Sequence, residues 1–406
     1  MARSSVPRFK MHPYLHVFSV GVCVLALFRT DLLAAKPFVP DREDQVLEIL
    51  RPFPLAAEGR ELRQLRRQLR LDPRELELAV KVAWRLIEQA RNESDPRYLG
   101  YAQAALQPWW TQPAPPAAVL LLRATLRQSN HEFDAALSDL DEVLKLEPAN
   151  AQAWLTRATI LQVQSRYDEA RRSCLPLARC ASRLVAVTCA ASIGSLTGEA
   201  PDSLNVLLRT LAQSPDASAE ETAWAWTLAA EVAARLGRGS EAEGYFQRAL
   251  EFRRPDAYLL GAYADFLLDR GDGLKVIELF KDKPPVDAIL LRLALAHKQA
   301  APGGEAFRQF KAALESRFEA ARRRGESLHA REEARFVLHL LGSPRQALEL
   351  AQANWKSQRE PADARILLEA ALACRDSAAA EPVLRWLDAM HRQDVQLVKL
   401  ASRLRP

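Results

Sequence analysis

The sequence predicts an all-α chain, built as an array of stacked helix-turn-helix units, on three observations. Ala and Leu together make up about a third of the 406 residues while Gly is scarce at 15, a composition that favours helix. A segment in the middle of the chain repeats itself after 34 residues without a gap. No segment of useful length shows the apolar/polar alternation of a half-buried strand. With 49% hydrophobic and 26% charged residues the chain can bury a sizeable core, which excludes low-complexity disorder. Its single long apolar run lies near the start, which excludes a polytopic membrane protein.

Residues 1–35 read as a signal peptide or uncleaved membrane anchor. Arg3, Arg8 and Lys10 precede the apolar run at residues 14–28, which ends in RTDLLAAKP. A basic, then apolar, then small-residue order is the pattern of an export signal. Cleavage after Ala34 or Ala35 fits that pattern, although Arg29 and Asp31 occupy a segment where neutral residues are preferred. The expected location is therefore outside the cytoplasm, in a bacterial periplasm, with tethering by residues 14–28 as the alternative. Translation from Met11 would leave a signal of more ordinary length. This segment also carries most of the net charge of +5, so the remainder is close to neutral and offers no electrostatic argument for nucleic acid. The arginine runs at Arg60, Arg63, Arg66, Arg67 and Arg70 and at Arg322 to Arg324 are expected to be solvated helix faces.

Residues 36–116 form an N-terminal helical region. Leu78, Val82 and Leu86, then Leu99, Ala102 and Leu106, follow helical spacing and give one degenerate helix pair over 74–107. WWTQPAPP at 109–116 is a Pro-rich joint.

Residues 117–283 hold the clearest repeats. AAVLLLRATLRQSNHEFDAALSDLDEVLKLEP from Ala117 aligns with AQAWLTRATILQVQSRYDEARRSCLPLA from Ala151. Leu120 answers to Trp154, Ala124 to Ala158, Phe133 to Tyr167, Ala136 to Ala170, Leu140 to Cys174 and Val143 to Leu177. Small residues at the alanine positions let paired helices approach closely, and large ones fill the gaps to the next unit. Trp226, Ala230, Gly237, Ala242, Phe246 and Ala249 repeat the pattern, and Ala264, Gly271 and Phe280 continue it with Val276 in place of Ala. The stretch around Gly198 and Pro215 keeps the spacing in degenerate form.

At these residues the chain resembles the tetratricopeptide repeat (TPR) family, whose 34-residue units carry an aromatic early in helix A, small residues at helix contacts and a closing Pro, here Pro148. The resemblance implies a right-handed α-solenoid whose groove, lined by helix A, binds a peptide or protein. Residue by residue, it places Gln152, Thr159, Gln162, Trp224, Glu231, Tyr258 and Asp265 on the outward face of helix A, as partner-binding candidates. The subset of the family that clamps a terminal carboxylate uses Asn and Lys where this chain has Ala118, Leu122, Thr125 and Thr156, so that mode is not expected.

Residues 284–406 read as degenerate TPR-like C-terminal helices: Asp287 to His297 with Glu305 to Arg324, Ala330 to Leu341 with Pro344 to Trp355, and Ala362 to Cys374 with Ala378 to Met390. In an oxidising compartment Cys174 and Cys189 could bridge two antiparallel neighbours across the break at Ala181 to Arg183; Cys180 with Cys189, or three buried thiols, are the alternatives. There is no HExxH, GxSxG or GxxxxGK[ST], no metal-ligand spacing and no cofactor motif. The expectation is a non-enzymatic interaction scaffold or adaptor of the cell envelope. The alternative is a regulatory or accessory subunit of an envelope enzyme complex, with the chemistry in a partner or in the C-terminal helices, where His329 near Glu332 and Glu333, and His339 four residues after Arg335, are the conceivable acid-base groupings.

Overall fold

The computed structural model describes Arg42 and residues 57–405 apart from 94, 253–255, 284–285, 324–329 and 392. The expected export segment, residues 1–35, lies outside the described residues.

The first helices are α1 (Ala57–Leu71), α2 (Leu76–Glu93), α3 (Arg97–Ala105) and the short α4 (Gln107–Trp110). Leu62 and Leu65 of α1 pack with Val82 and Leu86 of α2 and with Tyr98 and Ala102 of α3 in one apolar cluster. The expected N-terminal pair is thus α2 with α3, and α1 is an additional helix laid against α2. The Pro-rich joint is fastened to the first clear repeat by Arg123, whose guanidinium donates to the Trp110 carbonyl and to both oxygens of Asp139.

Helix pairs then succeed one another: α5 (Ala117–Ser129) with α6 (Phe133–Leu146), α7 (Ala151–Val163) with α8 (Tyr167–Cys174), and, after the short α9 (Leu177–Cys180), α10 (Arg183–Gly194) with α11 (Ala200–Ala212). Next come α12 (Ala219–Arg235) with α13 (Gly239–Leu250), α14 (Ala257–Asp269) with α15 (Gly273–Leu279), and α16 (Asp287–Ala300) with α17 (Glu305–Arg323). The last are α18 (Ala330–Phe336), prolonged by a π turn over Val337–Leu341, with α19 (Pro344–Trp355), α20 (Pro361–Cys374) with α21 (Ser377–Ala389), and a closing α22 (Val395–Ser402). The repeat positions read from sequence are core positions: Leu120, Ala124, Phe133, Ala136, Leu140 and Val143 are all buried in one cluster with Ala158, Tyr167, Ala170, Cys174 and Leu177. Trp154 stays half-buried because its Nε1 donates to the Pro148 carbonyl, 2.9 Å away, at the edge of the unit.

One backbone device closes unit after unit. His131, Ser165, Gly198, Gly237, Gly271 and Arg375 all have positive φ, and each lies in the turn between the two helices of a pair. The following amide then reaches back five residues to a carbonyl of the first helix: Glu132 to Arg127, Arg166 to Leu161, Glu199 to Gly194, Arg238 to Ala233, Asp272 to Leu267 and Asp376 to Ala371. A left-handed residue with this bond is the Schellman stop, which satisfies helix-end carbonyls left without partners. His131 and Ser165 stand 34 residues apart, as do Gly237 and Gly271. At Gly198 a Cβ would lie 3.2 Å from the Cβ of His391, so close approach adds to the demand for glycine there.

The Sγ atoms of Cys174 and Cys189 are bonded, with their Cα atoms 5.8 Å apart, joining the end of α8 to α10. Cys180 and Cys374 are free and half-buried.

Candidate functional site

The first helices of successive pairs have two ends with different fates. Their C-terminal ends are covered by the chain's own last helices. Gln358 Nε2 lies 3.2 Å from His131 Nδ1 after α5, Arg359 N donates to the Val163 carbonyl at the end of α7 (2.8 Å), and Trp386 Nε1 donates to Ser165 Oγ (2.8 Å). Gln393 Oε1 accepts from Ala200 N, after α10, at 3.0 Å. At the end of α14 Asp269 receives both prongs of Arg365, while Asp265 receives Arg292 from α16 and Arg335 from α18. The two guanidiniums outweigh the effect of burial and hold the Asp265 carboxyl well below the usual carboxylate range.

The N-terminal ends of α12 and α14 remain open. They face α1 and α2 across a cavity of 700 Å³. Trp224 and Thr227 of α12 and Tyr258 of α14 line one wall; Glu61 of α1 and Arg85 and Arg91 of α2 line the other. The local sequence sets these ends. Ser218 accepts from Glu221 N while the Glu221 carboxylate accepts from Ser218 N, a capping box that starts α12, and Asp256 accepts from Leu259 N to start α14. Trp226 turns the other way, 5.5 Å from the Tyr245 ring with Arg248 4.7 Å from its centroid, which leaves Trp224 half-buried at the cavity.

Charge is unevenly settled around this space. Tyr258, 63% exposed, donates its hydroxyl to Glu231 Oε1 at 2.7 Å. The Glu231 charge raises the phenol well above its ordinary value. Burial likewise raises the Glu231 carboxyl, with Arg235 and the Tyr258 hydroxyl opposing it. Across the cavity Arg91 is lowered by burial, opposed by Asp256 and Glu88, and among the described residues it makes no ion pair.

The seven residues expected on the helix A face therefore do not form one site. Trp224 and Tyr258 come together at the cavity, and Glu231 supports Tyr258 from behind. Asp265 does not belong with them. It is half-buried toward the C-terminal end of α14, paired with Arg292 and Arg335, where it lines a second cavity of 350 Å³ with His339 and Arg365. Gln152 donates to Thr156 within α7, Thr159 is exposed and bonded to its own helix, and Gln162 accepts from Ser192 Oγ at 2.9 Å. Arg85 and Arg91, which sequence reasoning left out, enter because α2 packs against α14. No repeat pattern carries that long-range contact.

His339 lies in the π turn with Nε2 2.8 Å from Glu369 Oε2, and Glu369 also accepts from Arg365 at 2.7 Å. Glu332 lies against Arg331 at 3.2 Å. These contacts are separate: the His339 bond joins the π turn to α20, and the Glu332 pair lies within α18. His329 lies outside the described residues. Among the described residues no group of three or more His, Cys, Asp or Glu side chains is placed to hold a metal ion.

No protein-family model matches the chain, and no curated protein matches it. Solved structures similar to it include a tetratricopeptide repeat protein from Parabacteroides merdae (14% identity, 71% of this chain and 98% of that one, TM-score 0.33). Others are a human IFIT1 dimer with PPP-AAAA (12% identity, 86% of each chain, TM-score 0.44) and the APC/C hetero-tetramer Cut9-Hcn1 (13% identity, 86% of this chain and 76% of that one, TM-score 0.40). The chain's own 34-residue period, its alanine contact positions and its repeated helix-pair stops make it an α-solenoid of stacked helix pairs, similar in pattern to tetratricopeptide repeats.

Proposed function

We propose that the protein is a non-enzymatic interaction scaffold, exported to the cell envelope, which holds an extended segment of a partner protein in the cavity between α2 and the N-terminal ends of α12 and α14. The observation that carries this reading is the half-buried Trp224 and the exposed Tyr258 lining, with Arg85 and Arg91, a cavity of 700 Å³. Aromatic anchors and arginines in a concave site are the groups that dominate protein recognition. A segment with an apolar side chain between Trp224 and Tyr258 and a carboxylate toward Arg91 satisfies both walls. The bridge between Cys174 and Cys189 supports an oxidising location, as does the signal-like start.

The test is site-specific photo-crosslinking from Thr227 in the native host, followed by identification of the adduct. A single protein captured by the wild type and lost from Trp224→Ala and Tyr258→Ala, with the melting temperature kept, supports the site. Capture that persists in both variants overturns it. Intact mass on the same material reports location: a chain starting at Ala35 or Lys36 supports export, and an uncleaved chain in the soluble cytoplasm refutes it.

A further inference from the structure

The geometry points to a second binding surface, independent of the cavity: the outer face of α1 docks on an anionic phospholipid surface. At 100° per residue, Leu62, Leu65 and Leu69 fall on the side of α1 that packs on α2. Arg60, Arg63, Arg67 and Arg70 fall within an arc of about 80° on the other side. Glu61 lies on the opposite flank, where it lines the cavity and comes within 3.9 Å of Arg85. Arg60, Arg67 and Arg70, and Arg74 just beyond the helix, are exposed, and their side chains have no ion pair or hydrogen bond among the described residues.

Among the described side chains, the acids that follow α1 are engaged at the turn into α2. Asp72 accepts from the Arg74 amide, and the Glu75 carboxylate accepts from the amides of Glu77 and Leu78, where it caps α2. Elsewhere arginines pair with carboxylates of their own helix or turn, as Arg166 does with Glu169 and Arg308 with Glu305. Leu71, 85% exposed, ends the stripe.

Guanidinium groups pair with phosphate oxygens in a planar fork, and an apolar side chain beside them suits the headgroup boundary. Nucleic acid fits less well. The nearest ring, Tyr101, lies under Arg66 at 4.8 Å, so no free aromatic face stands in the stripe for a base to stack on. The apolar run read in the sequence ends at Phe28 and α1 begins at Ala57, a separation the chain spans in at most about 100 Å.

The experiment is co-sedimentation of the full chain with vesicles of phosphatidylcholine, with and without about 30% phosphatidylglycerol. The expected result is extra binding with the anionic lipid, falling as NaCl rises from about 50 to 300 mM. Arg67→Glu with Arg70→Glu should cut that increment at least roughly tenfold, and Arg67→Lys with Arg70→Lys should retain most of it. Lys399→Glu with Arg403→Glu, at the end of the last helix and just beyond it, should leave it unchanged, as should Trp224→Ala. An equal increment in the α1 charge-reversal variant, or no increment in the wild type, overturns the proposal. So does tighter binding to a single-stranded RNA oligonucleotide that the same variant abolishes. Unchanged melting of the Arg67/Arg70 variants separates lost docking from a lost helix.

Discussion

Arg365 and Asp269, 96 residues apart in sequence, meet through two parallel hydrogen bonds of 2.6 and 2.7 Å. The pair ties α20 to the end of α14, and Arg365 also donates to Glu369, which His339 touches from the π turn. Arg365→Ala should destabilise the fold by about 1–3 kcal/mol, discounted from fully buried pairs because the arginine is partly solvated. A double-mutant cycle with Asp269→Ala, read by denaturant unfolding, should return a coupling near 1 kcal/mol. Zero coupling would mean that the last helices dock by packing alone.

The Glu369 carboxyl feels burial, which raises it, but the His339 hydrogen bond and the Arg365 charge prevail and lower it to about 2. Glu369 therefore contributes stability above the unfolded carboxylate value, and that contribution is lost as pH falls from about 4 through 2. Glu231 has the opposite sign: burial raises it, so its favourable contribution belongs to acid and is lost as pH rises through its folded value. Glu231→Gln keeps an acceptor for the Tyr258 hydroxyl. Its melting temperature should match the wild type at pH 4.5 and exceed it at pH 7.5. A constant difference across that range would refute the assignment.

Cys174 and Cys189 close a 15-residue separation, for which loop entropy gives about 3 kcal/mol. Cys174→Ser with Cys189→Ser should lower stability by about 2–4 kcal/mol, and dithiothreitol should do the same to the wild type but not to the variant. Cys180→Ser should leave the reductant sensitivity intact. If it removes that sensitivity, the bridge uses Cys180.

Arg375 sits at φ 55, exposed, in a turn position that other units fill with glycine. Arg375→Gly should stabilise by about 0.5–1 kcal/mol through relief of the left-handed strain. Gly198→Ala should destabilise, since it meets both the positive φ and the Cβ of His391. Thermal denaturation of the two variants side by side tests the turn argument in both directions.

The helix pairs were legible because each leaves a local record: alanine at Ala124, Ala158, Ala136 and Ala170 where helices touch, and a turn residue one unit on. Helix α1 was missed as a packed element because its arginines outnumber its leucines; the spacing of Leu62, Leu65 and Leu69 was the available signal. Trp224 was legible as a surface ring because Trp226 two residues on cannot share its face. Asp265 is placed by a pairing that no periodicity exposes. Its partner Arg335 lies 70 residues away, and a single arginine on a degenerate helix says nothing about which distant aspartate it will meet.

The contacts from Gln358, Arg359, Trp386 and Gln393 to the turns after α5, α7 and α10 bear on how the molecule comes apart. A solenoid held only by neighbours unzips from its ends, one unit at a time, and folds quickly because its contacts are local. Here the last units are fixed to the early ones across about half the chain. Loss of the last units must break contacts at the early ones, so the described array from α5 onward should melt as one cooperative block. It should also fold more slowly than an open array of the same length, since ring closure waits for both ends to form.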